Sequence, residues 1–159
     1  SRRTRTAVRR IERPSPNHDG RGDAPIDMLV LHYTGMQSAE GALDRLTDPA
    51  AKVSAHYTID EDGTVYVHVA EDRRAWHAGV SSWRGRNRCN DFSIGIELEG
   101  ADDRAFEDAQ YAMLADLTGA LRAAYAISDV VGHSDIAPER RTDPGPCFDW
   151  ARFRKLAGI

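Results

Sequence analysis

The chain is poor in cysteine, with only Cys89 and Cys147 in 159 residues. They lie far apart and form no CxxC pair, so a disulfide scaffold is not indicated. Reduced thiols and a cytoplasmic location are the expectation; a single disulfide in a periplasmic protein is the alternative. No apolar run approaches the roughly 20 residues of a membrane-spanning helix, so no stable membrane association is expected. Charge of one sign is not in excess: 21 basic against 25 acidic residues leave a formal net charge of −4. That balance argues against nucleic acid as the partner. There is no internal repeat, no low-complexity block and no second domain, so the chain reads as one domain, long enough to bury a core. A monomer is expected. The first residues are rich in arginine (Arg2, Arg3, Arg5, Arg9, Arg10), but no apolar signal-peptide core follows them. Residues 1–13 are therefore expected to be a basic flexible tail, and residues 14–159 the folded domain.

What the sequence does have is concentrated in Gly132-His133-Ser134-Asp135-Ile136-Ala137-Pro138-Glu139-Arg140-Arg141-Thr142-Asp143-Pro144-Gly145-Pro146. The segment is too rich in proline and glycine for regular structure, and a bound ion is one way to hold it. His133 and Asp143 offer the nitrogen and oxygen donors that zinc accepts. A third donor is His32, at the carboxyl end of the apolar run Met28 to Leu31. That run reads as a strand buried on both faces, and the strand's end is where α/β sheets place functional groups.

The remaining elements follow from pattern. Pro14 to Gly20 is turn material expected to wrap the body without regular structure, with His18 at the surface. Ser38 caps a short helix through Leu43 and Leu46 that stops before Asp48-Pro49. Val53 to Ile59 and Thr64 to Val69 flank Asp60-Glu61-Asp62-Gly63 as a β-hairpin. His56 and His68, on its strands, are read as packing or surface residues rather than ligands. Arg74 to Asn90 is loop-like, and its indoles beside arginines suit a groove for a sugar bearing a carboxylate-rich peptide. Equally, Trp76 and Trp83 would simply pin loops to the core. Phe92 to Gly100 alternates, with Phe92, Ile94, Ile96 and Leu98 on one face and Ser93, Gly95, Glu97 and Glu99 on the other. Glu97 is then either an exposed salt-bridge partner or, in a cleft holding a metal, a general base. Apolar spacing from Phe106 to Ala124 gives a long amphipathic helix over about 107–125. Val130 and Val131 form a short strand into His133, and Asp149 caps a last helix ended by Gly158.

Four segments carry a resemblance: His32-Tyr33-Thr34 after its apolar strand, Ala75-Trp76-His77-Ala78-Gly79, Asn90 to Gly100, and Gly132 to Pro146. In this order they resemble the AmpD-type N-acetylmuramoyl-L-alanine amidases. The resemblance implies an α/β (mixed α+β) fold of the peptidoglycan-recognition-protein type, a central mixed sheet flanked by helices. It implies Zn2+ on His32, His133 and Asp143, with Glu97 as the catalytic carboxylate. Arg141 falls where the family usually has lysine, polarising the carbonyl of the scissile amide. Arg88 matches an arginine that anchors peptide carboxylates, and Trp76, His77 and Ala78 fall in the substrate-binding motif. The implied reaction is hydrolysis of the amide between muramic or anhydromuramic acid and L-alanine of muropeptides, in peptidoglycan recycling. A peptidoglycan-binding module without catalysis and a secreted wall lysin are the alternatives. Cysteine is the third ligand in some relatives, so Cys147 is the competitor of Asp143. The connection from His32 to the hairpin is short, implying a site open to bulkier fragments.

Overall fold

The computed structural model describes residues 9–159, and residues 1–8 of the expected tail lie outside the described residues. In chain order the first half carries β1 (Arg10–Glu12), β2 (His18–Gly20), β3 (Met28–Tyr33), α1 (Ala39–Thr47), β4 (Tyr57–Ile59), β5 (Val65–Val67) and β6 (Arg73–Ala75). The second half carries β7 (Ser82–Trp83), β8 (Arg86–Asn87), β9 (Ser93–Leu98), α2 (Asp108–Ala124), β10 (Asp129–Gly132), α3 (His133–Ile136) and α4 (Trp150–Ala157). Six strands make the main sheet in the order β1-β5-β4-β9-β3-β10. Strands β4, β9, β3 and β10 run parallel, while β5 is antiparallel to β4. The mixed sheet flanked by helices is the architecture the resemblance implied.

The apolar run of β3 is unbroken because both faces are covered. Leu29 and Leu31 join Ile94, Ile96 and Leu98 of β9 in a core completed by Leu114, Leu117 and Leu121 of α2 and Phe153 of α4. Met28 and Val30 face the other way, against Ala78, Cys89, Phe92, Val131 and Ile136. Helix α2 begins at a reciprocal cap, where the Glu107 N–H donates to Gln110 Oε1 at 2.9 Å. Gln110 is itself buried and donates from Nε2 to the Glu99 carbonyl at 2.9 Å, tying helix to sheet. Helix α1 is capped by Ser38 Oγ, which accepts from the Gly41 N–H, and α4 by Asp149, as their sequences predicted.

Several expectations are corrected. Arg10–Glu12 is paired to β5, so the far end of the expected tail belongs to the sheet. His18–Gly20 pairs with Arg73–Ala75, giving the Pro14 to Gly20 stretch a strand. Buried Asn17 holds this stretch down by donating to the carbonyls of Asp48 and Val53, both at 2.9 Å. The Gly132 to Pro146 segment does contain regular structure, the single turn α3. Asp135 Oδ2 starts it by accepting from the Gly132 N–H at 2.8 Å. Phe92 lies just before β9 and packs on the face opposite Ile94, and every residue of β9 is buried because the strand is central.

Candidate active site

Parity and register assemble the site. Along β3, His32 shares a face with Met28 and Val30; along β9, Glu97 shares one with Ser93 and Gly95. The parallel pairing sets His32 beside Glu97 and Leu31 of β3 beside Gly132 of β10, which delivers His133 one residue later. The carboxyl ends of parallel strands thus bring His32, Glu97 and His133 to one rim of the sheet. The loop after α3 returns Asp143 to the same point, held by the Ser134 N–H donating to the Asp143 carbonyl at 3.0 Å. Gly132 is required there, since a Cβ on it would come within 2.7 Å of Pro144 Cδ.

His32 Nδ1 lies 3.0 Å from His133 Nδ1 and 2.9 Å from Asp143 Oδ2, and His133 Nδ1 lies 3.2 Å from that oxygen. Donors held about 2.0–2.1 Å from one tetrahedral ion sit roughly 3.3 Å apart, so this triangle is close to one face of a zinc polyhedron. Its chemistry also fits a cation. His133 Nε2 is 2.9 Å from the Ala78 carbonyl oxygen, which only accepts. That nitrogen is therefore the donor, which leaves Nδ1 to turn a lone pair toward the carboxylate. Two electron-rich atoms buried face to face call for a positive ion between them. Among the described residues, His32, His133 and Asp143 form a group able to hold a metal. Cys147 is not part of it; its thiol turns away toward the Asp102 carbonyl at 3.1 Å.

Glu97 stands beside this triangle. Burial, then the charge of Asp143, push its carboxyl well above the ordinary value, with Arg141 opposing. Its Oε2 is buried with no hydrogen-bond partner among the described residues. A carboxylate raised in this way is a stronger base than an ordinary glutamate and can both take and return a proton. These groups form the floor of a cavity of about 490 Å3, whose wall includes Trp76, Arg45 and Arg141.

The other expected site residues divide. Trp76 lines the cavity, whereas Trp83 is half-buried and packs against the cluster around Met28, Val30 and Phe92. His77 reaches the cavity edge but is buried, and both of its ring nitrogens meet protein partners, His32 and Ser93. Ala78 is buried too; its N–H donates to Asn90 Oδ1 and its carbonyl accepts from His133 and Arg140. Neither has a free group for a substrate. Arg88 is not in the cavity wall; its side chain is 76% exposed with Asp91 3.8 Å away. Sequence reasoning missed Asn90, Arg140, Ser93 and Gly95. Only Gly95 left a signal, a glycine inside an apolar strand, which marks close approach of another group.

Buried histidines make the fold acid-sensitive. Burial pushes His56 down to about 3, and lowers His32, His68 and His77 as well. Their stability contribution is complete above the unfolded value near 6.5 and falls as pH drops below it, by about 1.4 kcal/mol per pH unit per site. The carboxyls of Glu97, Glu99 and Asp60, raised by burial, work in the opposite sense, but they are three groups against four. Urea melts of the metal-free protein should show a lower midpoint at pH 5.5 than at pH 7.5, with an unchanged slope. Equal midpoints would contradict the buried neutral state of these rings.

A His-His-Asp triangle able to hold a metal, beside a raised carboxylate at the mouth of a mixed sheet, is the arrangement that metal-assisted hydrolysis requires. Residues 22–146 match the Amidase_2 family, described as N-acetylmuramoyl-L-alanine amidase, and the chain belongs to it. The chain is 48% identical over 163 residues to the 1,6-anhydro-N-acetylmuramyl-L-alanine amidase AmpD of Citrobacter freundii, covering 90% of this chain and 87% of that protein. A crystal structure of a selenomethionine AmpD derivative matches with a TM-score of 0.84 and 48% identity, over 96% of this chain and 95% of that one. The N-acetylmuramyl-L-alanine amidase AmiD from E. coli, in complex with anhydro-N-acetylmuramic acid-L-Ala-D-gamma-Glu-L-Lys, matches with a TM-score of 0.78 and 36% identity. That match covers 99% of this chain and 62% of the AmiD chain.

Proposed function

We propose that this chain is a zinc-dependent N-acetylmuramoyl-L-alanine amidase that cleaves the muramyl-to-L-alanine amide of anhydromuropeptides in peptidoglycan recycling. The observation that carries it is the convergence of His32, His133 and Asp143 next to the unpartnered Glu97 Oε2 on the floor of an open cavity. These three side chains would hold the zinc, which when bound supplies a Lewis acid for the carbonyl and acidifies water toward a pKa of about 7. Glu97 accepts the proton of the attacking water and returns it to the departing amine of L-alanine. Arg141, exposed on the wall, turns its guanidinium to the oxygen that gains charge in the transition state. Trp76 offers an apolar face to the sugar or the first residues of the peptide. Arg88, outside the wall, would meet only a peptide long enough to run past the rim. The same reading makes the protein a cytoplasmic monomer acting on released fragments.

The test is to give the zinc-loaded protein an anhydromuropeptide and follow release of free peptide. Release that a chelator stops and zinc restores is expected. Binding without release would overturn the reading in favour of a recognition module. Arg141→Lys should stay within about tenfold of the parent, whereas Arg141→Ala should lose roughly 10²–10³ in kcat, the usual cost of one oxyanion donor. Equal rates for all three would remove Arg141 from the chemistry.

A further inference from the structure

We propose that His77 and Ser93 are positioning residues that fix the tautomer of His32, so that its Nδ1 presents a lone pair to the metal. The inference rests on the metal-site reading above, and deepens it.

A buried chain of contacts runs from His32 to the Cys89 carbonyl. Ser93 Oγ lies 2.6 Å from the Cys89 carbonyl oxygen. A carbonyl only accepts, so the single hydroxyl proton points there. Ser93 must then accept at its other contact, His77 Nε2 at 3.1 Å, which therefore bears the proton of that ring. A neutral imidazole has one proton, and His77 is buried with no carboxylate among its ring partners, so nothing there compensates a charged ring. His77 Nδ1 is thus an acceptor. It lies 3.0 Å from His32 Nε2, so that nitrogen donates and His32 Nδ1 is left bare. The order reads His32 to His77 to Ser93 to Cys89, with every proton pointing away from the metal triangle. His133 reaches the same state in one step through the Ala78 carbonyl.

The chain is built as well as connected. His77, His32 and Ser93 are buried, and the His32 and His77 rings meet edge to face with centroids 5.1 Å apart. Asn90 Oδ1 fixes the backbone of His77 by accepting its N–H at 3.1 Å. The ring lies directly on the backbone of Gly95, where any Cβ would come within 2.4 Å of His77 Cγ. A glycine in the middle of a central strand is thereby explained: it makes room for the group that orients the ligand.

Loss of a partner that orients a ligating histidine costs about 10–100-fold in metal affinity. The experiment measures zinc affinity by competition with a chromogenic chelator for the parent, His77→Leu, His77→Asn, Ser93→Ala and Gly95→Ala. It adds 15N NMR of the imidazoles in the zinc-free parent. His77→Leu and Gly95→Ala should bind zinc about 10–100-fold more weakly, and Ser93→Ala should be intermediate. His77→Asn, whose amide oxygen can accept from His32, should recover most of the loss. The NMR spectra should show His32 and His77 both protonated on Nε2. Parent-like affinity in His77→Leu, or a proton on His77 Nδ1, would overturn the proposal. If the leucine variant does not fold, the parent's tautomers still decide. If the parent itself takes up no zinc, it is the metal site that fails, and the tautomers still test the relay.

Discussion

Glu97→Gln is expected to retain zinc and fold while losing about 10²–10⁴ in kcat, the range general acid–base groups supply. The amide keeps the shape of the side chain and removes only its ability to exchange a proton. Stability should move the other way. In the folded protein the Glu97 carboxyl is raised well above 4.5 by burial and by Asp143. The folded state therefore holds this proton more tightly than the unfolded chain, and stability is lost as pH rises from 4.5 to the folded value. Above that window the buried carboxylate is a standing cost, which glutamine does not carry. At pH 8 the metal-free variant should thus melt higher than the parent. A variant that is both fully active and no more stable would remove Glu97 from its role.

His133→Ala should abolish turnover by a different route, through loss of the metal. It deletes one of three donors and strips the Ala78 carbonyl of its imidazole donor, so affinity should fall by more than the ~10–100-fold that loss of an orienting partner costs. Added zinc in large excess should restore little. Cys147→Ser is the matched control: the thiol faces the Asp102 carbonyl, so metal content and rate should stay at parent values. Retention of zinc by His133→Ala, or its loss in Cys147→Ser, would place the ligand set elsewhere.

Much of the site was legible because β structure has a period of two. The alternation of Ile94, Ile96 and Leu98 with Ser93, Gly95 and Glu97 put the carboxylate on the face away from the helix-covered core. Placement of His32 at the end of an unbroken apolar run likewise put it at the rim. Pattern within one segment says nothing of pairing between distant ones, and this is where expectation and structure part. His18–Gly20 looked irregular because its strand partner, Arg73–Ala75, lies more than fifty residues away. Arg10–Glu12 carries basic and acidic groups suited to a solvated tail, yet an edge strand needs only backbone groups and β5 supplies them. His77 and Ala78 were legible as part of a motif but not in their use. Whether a ring faces a cavity or the back of another histidine depends on a third strand, and Gly95 was the sole local hint.

X-ray absorption at the zinc edge of the metal-loaded protein tests the His32, His133 and Asp143 ligand set most directly. One zinc per chain is expected, with two imidazole nitrogens and a carboxylate oxygen at about 2.0–2.2 Å and no sulfur near 2.3 Å. A sulfur neighbour, or a protein that holds no stoichiometric zinc, would contradict it.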